Sequence, residues 1–308
     1  MKILQQPARG PEDNLKGFIE NICREAGPRP AGSAAEQKAV EIISKNLEEC
    51  GASVHVEEFP VVPRTVHALV VMAVIIYILS LALYFLWPPL ATAAVLFVIA
   101  AYIASIVFGK SVFAPFLQSR RSRNVIGKIK PSVGRRRLLM FSAHHDSAFR
   151  MPLLARPTHR LLFAVLPVFV VSIFVMLGLS LWRTGAVILL PALVWRPSPV
   201  ETAALCFCGV GAAAGIVLLA GTVRMDSVPG ANDNLSGVAV ALGVARRLRR
   251  GRPENTEIWI LSFGAEEIGI VGSRHFVRNH GGEIKDGVLV NLESLGQRGS
   301  LRVISGEL

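Results

Sequence analysis

The sequence predicts an α/β fold: a three-layer α/β/α domain with a mixed central sheet, interrupted by two transmembrane helical hairpins. Three observations carry this. The polar stretches alternate short β-rich runs with helical periodicity, a pattern that lays helices against both faces of a sheet. Two long apolar blocks break into those stretches. The acidic and imidazole side chains cluster just past the ends of β-rich runs, where such sheets place their sites.

The 308 residues suffice for one large or two ordinary domains, and 52% of them are hydrophobic. The apolar excess is localised. Ala68 to Gly109 holds no charged residue and is broken at Trp87-Pro88-Pro89. At about 1.5 Å rise per residue each half reaches roughly 30 Å, a bilayer's hydrocarbon thickness. The expected spans are Ala68–Leu86 and Leu90–Gly109, then Leu161–Trp182 and Thr202–Val223. The last carries Gly211-Ala212-Ala213-Ala214-Gly215, a small-residue face suited to close helix packing. Gly185–Trp195 is short and holds Pro191, so it reads as a re-entrant or interfacial piece. For the polar segments to form one domain, each apolar block must cross an even number of times.

The chain then divides into 1–66, a hairpin at 67–110, 111–158, a second hairpin at 159–223, and 224–308. No apolar signal-like run occurs in Met1–Pro60. Arg64, Lys110, Arg120, Arg121, Arg123, Arg156, Arg160 and Arg224 flank the spans on the polar side, against Arg183 and Arg196 on the other. By the positive-inside rule the polar domain is cytoplasmic. The net charge of +11 therefore reads as attraction to the lipid bilayer, with no nucleic-acid partner, since no nucleic-acid motif occurs. Cys206 and Cys208 lie in a span and Cys23 and Cys50 on separate helices, so all four read as reduced thiols.

Taken in order, Asn14–Ala26 and Ala34–Cys50 carry helical periodicity across a rigid turn, Gly27-Pro28-Arg29-Pro30-Ala31-Gly32-Ser33, with Ser33 as N-cap. Ala52–Phe59 alternates as a strand, and Asn124–Lys130 and Leu138–Ala143 read as two more. Gly230–Asn234 opens a helix to about Arg249, with Val238, Leu242, Ala245 and Leu248 on one face. Glu257–Phe263 is a strand, followed by a helix to about Asn279. Gly287–Leu292 reads as a buried strand and Leu301–Ile304 as a last one.

Each candidate residue has a plain alternative. Glu266 and Glu267 could sit on a solvated turn, His144 and His145 on a surface, Asp233 as a helix N-cap, and Glu293 exposed after its strand. Together they are the donor types zinc accepts, imidazole nitrogen and carboxylate oxygen. Asp146 stands two residues from His144, where it can orient the ring. The joint order is specific: His-x-Asp after a strand, Gly-x-x-Asp-Asn before a helix, strand-Glu-Glu, then strand-Asn-Leu-Glu.

These stretches resemble the co-catalytic zinc exopeptidases, which include bacterial leucyl aminopeptidases, glutamate carboxypeptidases and glutaminyl cyclases. The resemblance rests on Ala143-His144-His145-Asp146-Ser147, Gly230-Ala231-Asn232-Asp233-Asn234-Leu235-Ser236-Gly237, Phe263-Gly264-Ala265-Glu266-Glu267-Ile268-Gly269, and the Gly27–Ser33 turn. It implies that His144, Asp233 and Glu293 hold one zinc and that Asp233 bridges to a second held by Glu267. It implies that Glu266 is the general base toward zinc-activated water, that Asp146 orients His144, and that the substrate is a peptide. Glu at 293, where soluble members have Asp, resembles the membrane-bound branch related to endoplasmic reticulum metallopeptidases. The family's last ligand is a downstream histidine, and none follows His280. The expectation is a C-terminally truncated chain that binds one zinc more firmly than the other and hydrolyses peptides poorly. Glutaminyl-cyclase-like or carboxypeptidase activity, or a non-catalytic membrane receptor or scaffold with this fold, stay open alternatives.

Overall fold

The computed structural model describes residues 14–108, 112, 114–154, 158–190, 195–222, 226–249, 251, 253–299 and 302–304. Two compact units divide the chain. Met1–Pro63, Ser119–Phe149 and Ser227–Leu308 form the first, and Arg64–Gln118 with Arg150–Asp226 form the second. The first unit opens with α1 (Leu15–Glu25), α2 (Ala34–Glu49) and β1 (Ser53–Val61). Helices α3 (Thr65–Leu86) and α4 (Pro88–Phe108) belong to the second unit, and β2 (Arg120–Ile129) and β3 (Arg137–His144) return to the first. Helices α5 (His159–Leu189) and α6 (Pro199–Thr222) belong again to the second unit. Then α7 (Ser236–Arg249), β4 (Thr256–Phe263), α8 (Val271–Ile284) and β5 (Val288–Asn291) complete the first.

The sheet is mixed, in the order β1-β2-β4-β3-β5. β1 and β2 pair antiparallel, as do β2 and β4, while β3 runs parallel to both β4 and β5. The strands on either side of the Pro131–Arg137 turn are thus separated by β4. Strand alternation sorts the apolar side chains onto two faces. Ile258 and Ile260 of β4 join Val125, Ile129 and Ala143 under α1, α2 and α7, with Ile22, Ile43, Leu47 and Leu242. Trp259 and Leu261 point the other way, with Ile126 and Met140, against Phe276 of α8. Helices therefore cover both faces.

Local chemistry sets the helix starts. Asn14 Oδ1 accepts from Gly17 N at 2.8 Å, capping α1, and Ser33 Oγ accepts from Glu36 N at 3.1 Å, capping α2. Ahead of α7 the expected helix start is replaced by an irregular turn. Ala231–Leu235 forms a single wide turn in which Asp233 and Asn234 leave helical geometry, and the regular helix begins at Ser236. Asn234 Oδ1 accepts from Gly237 N at 3.1 Å, so capping falls to Asn234.

A buried polar network ties these loops to the sheet. Arg29 is fully buried. Its guanidinium donates to the carbonyl oxygens of His145 (2.9 Å), Gly27 (2.7 Å), Pro229 (2.8 Å) and Gly230 (3.3 Å). Its backbone exchanges bonds with Ser147, N to Oγ at 2.8 Å and back from Ser147 N to Arg29 O at 3.0 Å. One cation thus fastens the Gly-Pro-Arg-Pro turn, the segment after β3 and the turn before α7. Gly230 sits at φ 57°, where a Cβ would meet Asp233 O and Arg29 Nη2 at 2.8 and 2.9 Å. Nearby, Glu36 accepts from Gly32 N (2.8 Å) and from the Ser122 hydroxyl, with His145 Nε2 3.8 Å away. Burial pushes the Glu36 carboxyl up to about 8; its two hydrogen bonds and Arg123 oppose this, and Asp146 adds to it.

In the second unit, Val74, Tyr77, Tyr84, Phe169, Met176, Cys208 and Leu218 pack together. The Tyr77 hydroxyl donates to Cys208 O at 3.0 Å. A Cβ at Gly211 would strike Ser172, and one at Gly215 would stand 2.8 Å from Phe169, so these glycines admit the neighbouring helix.

Three expectations are corrected. Gly185–Leu189 continues α5, because the apolar helix pattern runs on past Arg183 without a breaker; Pro191 lies outside the described residues. β5 is exposed along its whole length, with Val288 at 61%, because among the described residues it has one neighbour strand and no covering helix. Arg302–Ile304 is irregular and exposed rather than a strand, and Leu301 lies outside the described residues.

Two outcomes follow from the buried network. Arg29→Met would strand four carbonyl oxygens and lower unfolding stability by more than about 3 kcal/mol, measured by denaturant titration in detergent. For Glu36 the folded chain holds its proton up to about 8 while an ordinary carboxyl ionises near 4.5. The folded state therefore binds more protons between these values, and stability falls as pH rises across that window. Glu36→Gln is expected to remove this slope, at most about 1.4 kcal/mol per pH unit, so the variant gains on wild type from pH 4.5 to 8.

Candidate metal and catalytic site

The parallel strands β4, β3 and β5 end side by side. Ser142 pairs with Asn291 and His144 with Phe263, and the ladder continues as Leu292 N donates to Ser142 O at 2.8 Å and His145 N to Phe263 O at 2.9 Å. This register carries His144 at the end of β3 level with Glu293 just past β5. Glu266 and Glu267 follow the end of β4, and the irregular turn before α7 delivers Asp233.

Around His144 Nε2 the carboxylates close in. Asp233 Oδ1 is 3.0 Å away, Glu293 Oε1 3.6 Å and Glu266 Oε2 3.8 Å. Two sets have mutually close donor atoms, all within 4.8 Å: His144 with Asp233 and Glu293, and His144 with Glu266 and Glu267. The residue common to both is His144, where the resemblance implied Asp233 as the shared ligand.

Asp146 is fully buried. Its Oδ1 lies 3.3 Å from His144 Nδ1, a charge contact outside hydrogen-bond geometry. Its two oxygens accept from Glu266 N and Glu267 N, both at 3.1 Å. Asp146 therefore holds the Glu266-Glu267 turn as well as facing the imidazole. The sequence suggested only the second of these.

The electrostatics express crowding. Burial works against charge on His144, yet Asp146, Glu293 and Glu266 outweigh it and push the imidazole up to about 11. Burial raises Glu266, opposed by His144 and aided by Asp146, Glu293 and Asp233. Burial and then Asp233 push Glu267 up to about 7, with His144 opposing. Glu266 and Glu267 resist ionisation through burial first and the neighbouring acids second, and positive charge placed among them opposes both effects. His144 is 4% exposed, whereas the side chains of Asp233, Glu266 and Glu293 are 59%, 38% and 48% exposed, so the cluster opens to solvent on its acidic side.

The donor set fits zinc. Ligands at about 2.0 to 2.1 Å in a tetrahedron stand roughly 3.3 Å apart. The 3.0 and 3.6 Å separations from His144 Nε2 to Asp233 and Glu293 bracket that edge. Three residues that matter here had no role assigned from the sequence: Arg29, Glu36 and Asn234. All are polar and fully buried. Arg29 and Asn234 could be signalled only by their place inside the Gly-Pro-Arg-Pro and Gly-Ala-Asn-Asp-Asn runs, and Glu36, in the first turn of α2, by nothing local.

Residues 218–307 match Peptidase family M28. Aminopeptidase YwaD of Bacillus subtilis (strain 168) is 51% identical over 59 residues, which is 18% of this chain and 13% of that protein. Among solved structures, BSAP, a zinc aminopeptidase from Bacillus subtilis, aligns at TM-score 0.50 and 16% identity, over 94% of this chain and 71% of that one. The glutaminyl cyclase of Fimbriiglobus ruber aligns at TM-score 0.46 and 14% identity, over 94% of this chain and 61% of that one. The chain thus spans a small part of the curated relative and about three fifths of the cyclase. At this identity the likeness to BSAP shows a shared fold. Over residues 218–307 the chain is thus similar to Peptidase family M28.

Proposed function

We propose that this protein is a membrane-anchored, zinc-dependent exopeptidase of the aminopeptidase type. The observation that carries the reading is the convergence of Asp233, Glu293, Glu266 and Glu267 on one imidazole at the ends of three parallel strands. His144, Asp233 and Glu293 would hold one zinc, and Asp233 with Glu267 a second. Zinc in such a site polarises a scissile carbonyl and brings the pKa of a bound water toward neutrality.

The chain's own part is positioning and proton transfer. Glu266 stands at the rim of the cluster, its backbone held by Asp146. It takes the proton released as water adds to the peptide carbonyl and returns it to the departing amine as the C–N bond breaks. Asp146 holds Glu266 and Glu267 through successive N–H groups, so base and ligand keep a fixed offset. The exposed carboxylates leave the acidic side open for a peptide.

The anchor is the second unit. Thr65–Leu86, Pro88–Ser105, His159–Leu189 and Pro199–Gly221 are each long and apolar enough to cross a membrane. Leu79, Phe97, Phe163 and Phe174 present exposed apolar surface along them, at 42 to 72%. Two hairpins crossing the bilayer leave the polar unit on one side, cytoplasmic by the arginine bias. Its partners are a peptide and the bilayer.

Glu266→Gln is expected to reduce peptide hydrolysis by at least 10²-fold with zinc content per chain unchanged. Zinc loss in that variant would make Glu266 a ligand and overturn the division of the pair. Stripping zinc with a chelator should abolish hydrolysis, and adding zinc back should restore it. Alkaline carbonate should leave the protein in the membrane fraction, and a protease outside intact cells should spare the polar unit.

A further inference from the structure

Asn234 is fully buried between the turn that carries Asp233 and the segment that carries Glu293. Its side-chain amide has two donor positions and two acceptor lone pairs, and every one is used. Nδ2 donates to Leu292 O at 2.8 Å and to Glu293 Oε2 at 3.1 Å. Oδ1 accepts from Gly237 N at 3.1 Å and from Ser294 N at 3.3 Å. Two acceptors face one end and two donors the other, so only one orientation of the amide satisfies all four. The packing is close: a Cβ at Gly237 would collide with Leu292 O and stand 2.5 Å from Asn234 Oδ1.

The consequence falls on Glu293. Its Oε2 is engaged by Asn234, while Oε1 faces His144 Nε2 at 3.6 Å. A glutamate side chain has one more rotatable bond than an aspartate, so without a partner its carboxylate could turn or offer both oxygens. Resting on the zinc reading above, we propose that Asn234 is a positioning residue: its amide holds Glu293 as a single-oxygen donor beside His144 and Asp233, and so sets the zinc affinity of that site. The same amide joins the two loops that bring Asp233 and Glu293, so the two ligands are placed by one bonded unit.

The test measures zinc binding by competition with a chromophoric chelator, on the full chain in detergent, independently of hydrolysis. Asn234→Asp keeps the shape and the acceptor toward Gly237 N and Ser294 N but sets an oxygen against Glu293 Oε2. The expected result is a 10- to 100-fold weaker zinc site. A polarity swap separates positioning from structure. In Asn234→Asp with Glu293→Gln, the new amide at 293 can donate to the new carboxylate at 234. The double variant should lose clearly less affinity than the product of the two single losses.

An affinity within twofold of wild type in Asn234→Asp, or losses that simply multiply in the double variant, would overturn the proposal. Should Asn234→Asp not fold, Asn234→Ser takes its place, with a hydroxyl that can cap Gly237 N but does not reach Glu293. The same loss is expected there, and an unchanged affinity overturns the proposal equally. A wild-type chain that binds no zinc sinks the zinc reading itself, which a zinc-binding wild type with an indifferent Asn234 variant does not.

Discussion

Carboxylates crowd together in a fold only where something positive holds them, because their repulsion grows as water is excluded from between them. Here Asp146, Asp233, Glu266 and Glu293 all approach a single imidazole, and Glu267 stands beside them. Asp146, Glu293 and Glu266 push the His144 imidazole up to about 11 against its own burial, and a cation bound at Nε2 would take the place of that proton. The rest of the first unit can be understood as the means of keeping this costly arrangement in place. The parallel register of β4, β3 and β5 brings three strand ends into line, and the loops after them carry the acids.

The loops are where precision is needed, and they are held by buried polar groups rather than by apolar packing. Arg29 binds four carbonyl oxygens from three segments. Asp146 binds two consecutive N–H groups, and Asn234 uses its whole amide. Such groups are tolerable in an interior only when fully paired, since each unpaired one costs about 1 to 3 kcal/mol. Full pairing makes each a rigid joint. The apolar core beneath, with Trp259 on one face and Ile258 and Ile260 on the other, supplies the platform, and the polar joints fix what stands on it.

The second unit follows different rules. Its helices carry apolar side chains outward as well as inward, and close approach comes from small residues such as Gly211 and Gly215. Some polar contacts there are local, as where Ser172 bonds to Phe169 O at 2.7 Å, one turn back, and others join helices, as where Tyr77 bonds to Cys208 O. These are the economies of helices that satisfy their backbone internally.

Much of this was legible in the chain itself. Sequence pattern located the five strands and the regular helices of the first unit to within a few residues, but not the irregular turn Ala231–Leu235, because alternating and 3.6-residue patterns follow from which face is buried. Uncharged runs located the four long helices for the same reason. The spacing of His144, Asp233, Glu266, Glu267 and Glu293 around strand ends singled out the residues that meet. What one dimension could not supply was everything that depends on neighbours distant in sequence. Strand order put β4 between β2 and β3. β5 is exposed, although its residues read as buried, because among the described residues it pairs with β3 alone. The partners of Arg29, Glu36 and Asn234 lie up to about two hundred residues away, and a hydrogen bond leaves no periodic trace. Local pattern is decided by burial along the chain, whereas the geometry of the site is decided by pairing across it.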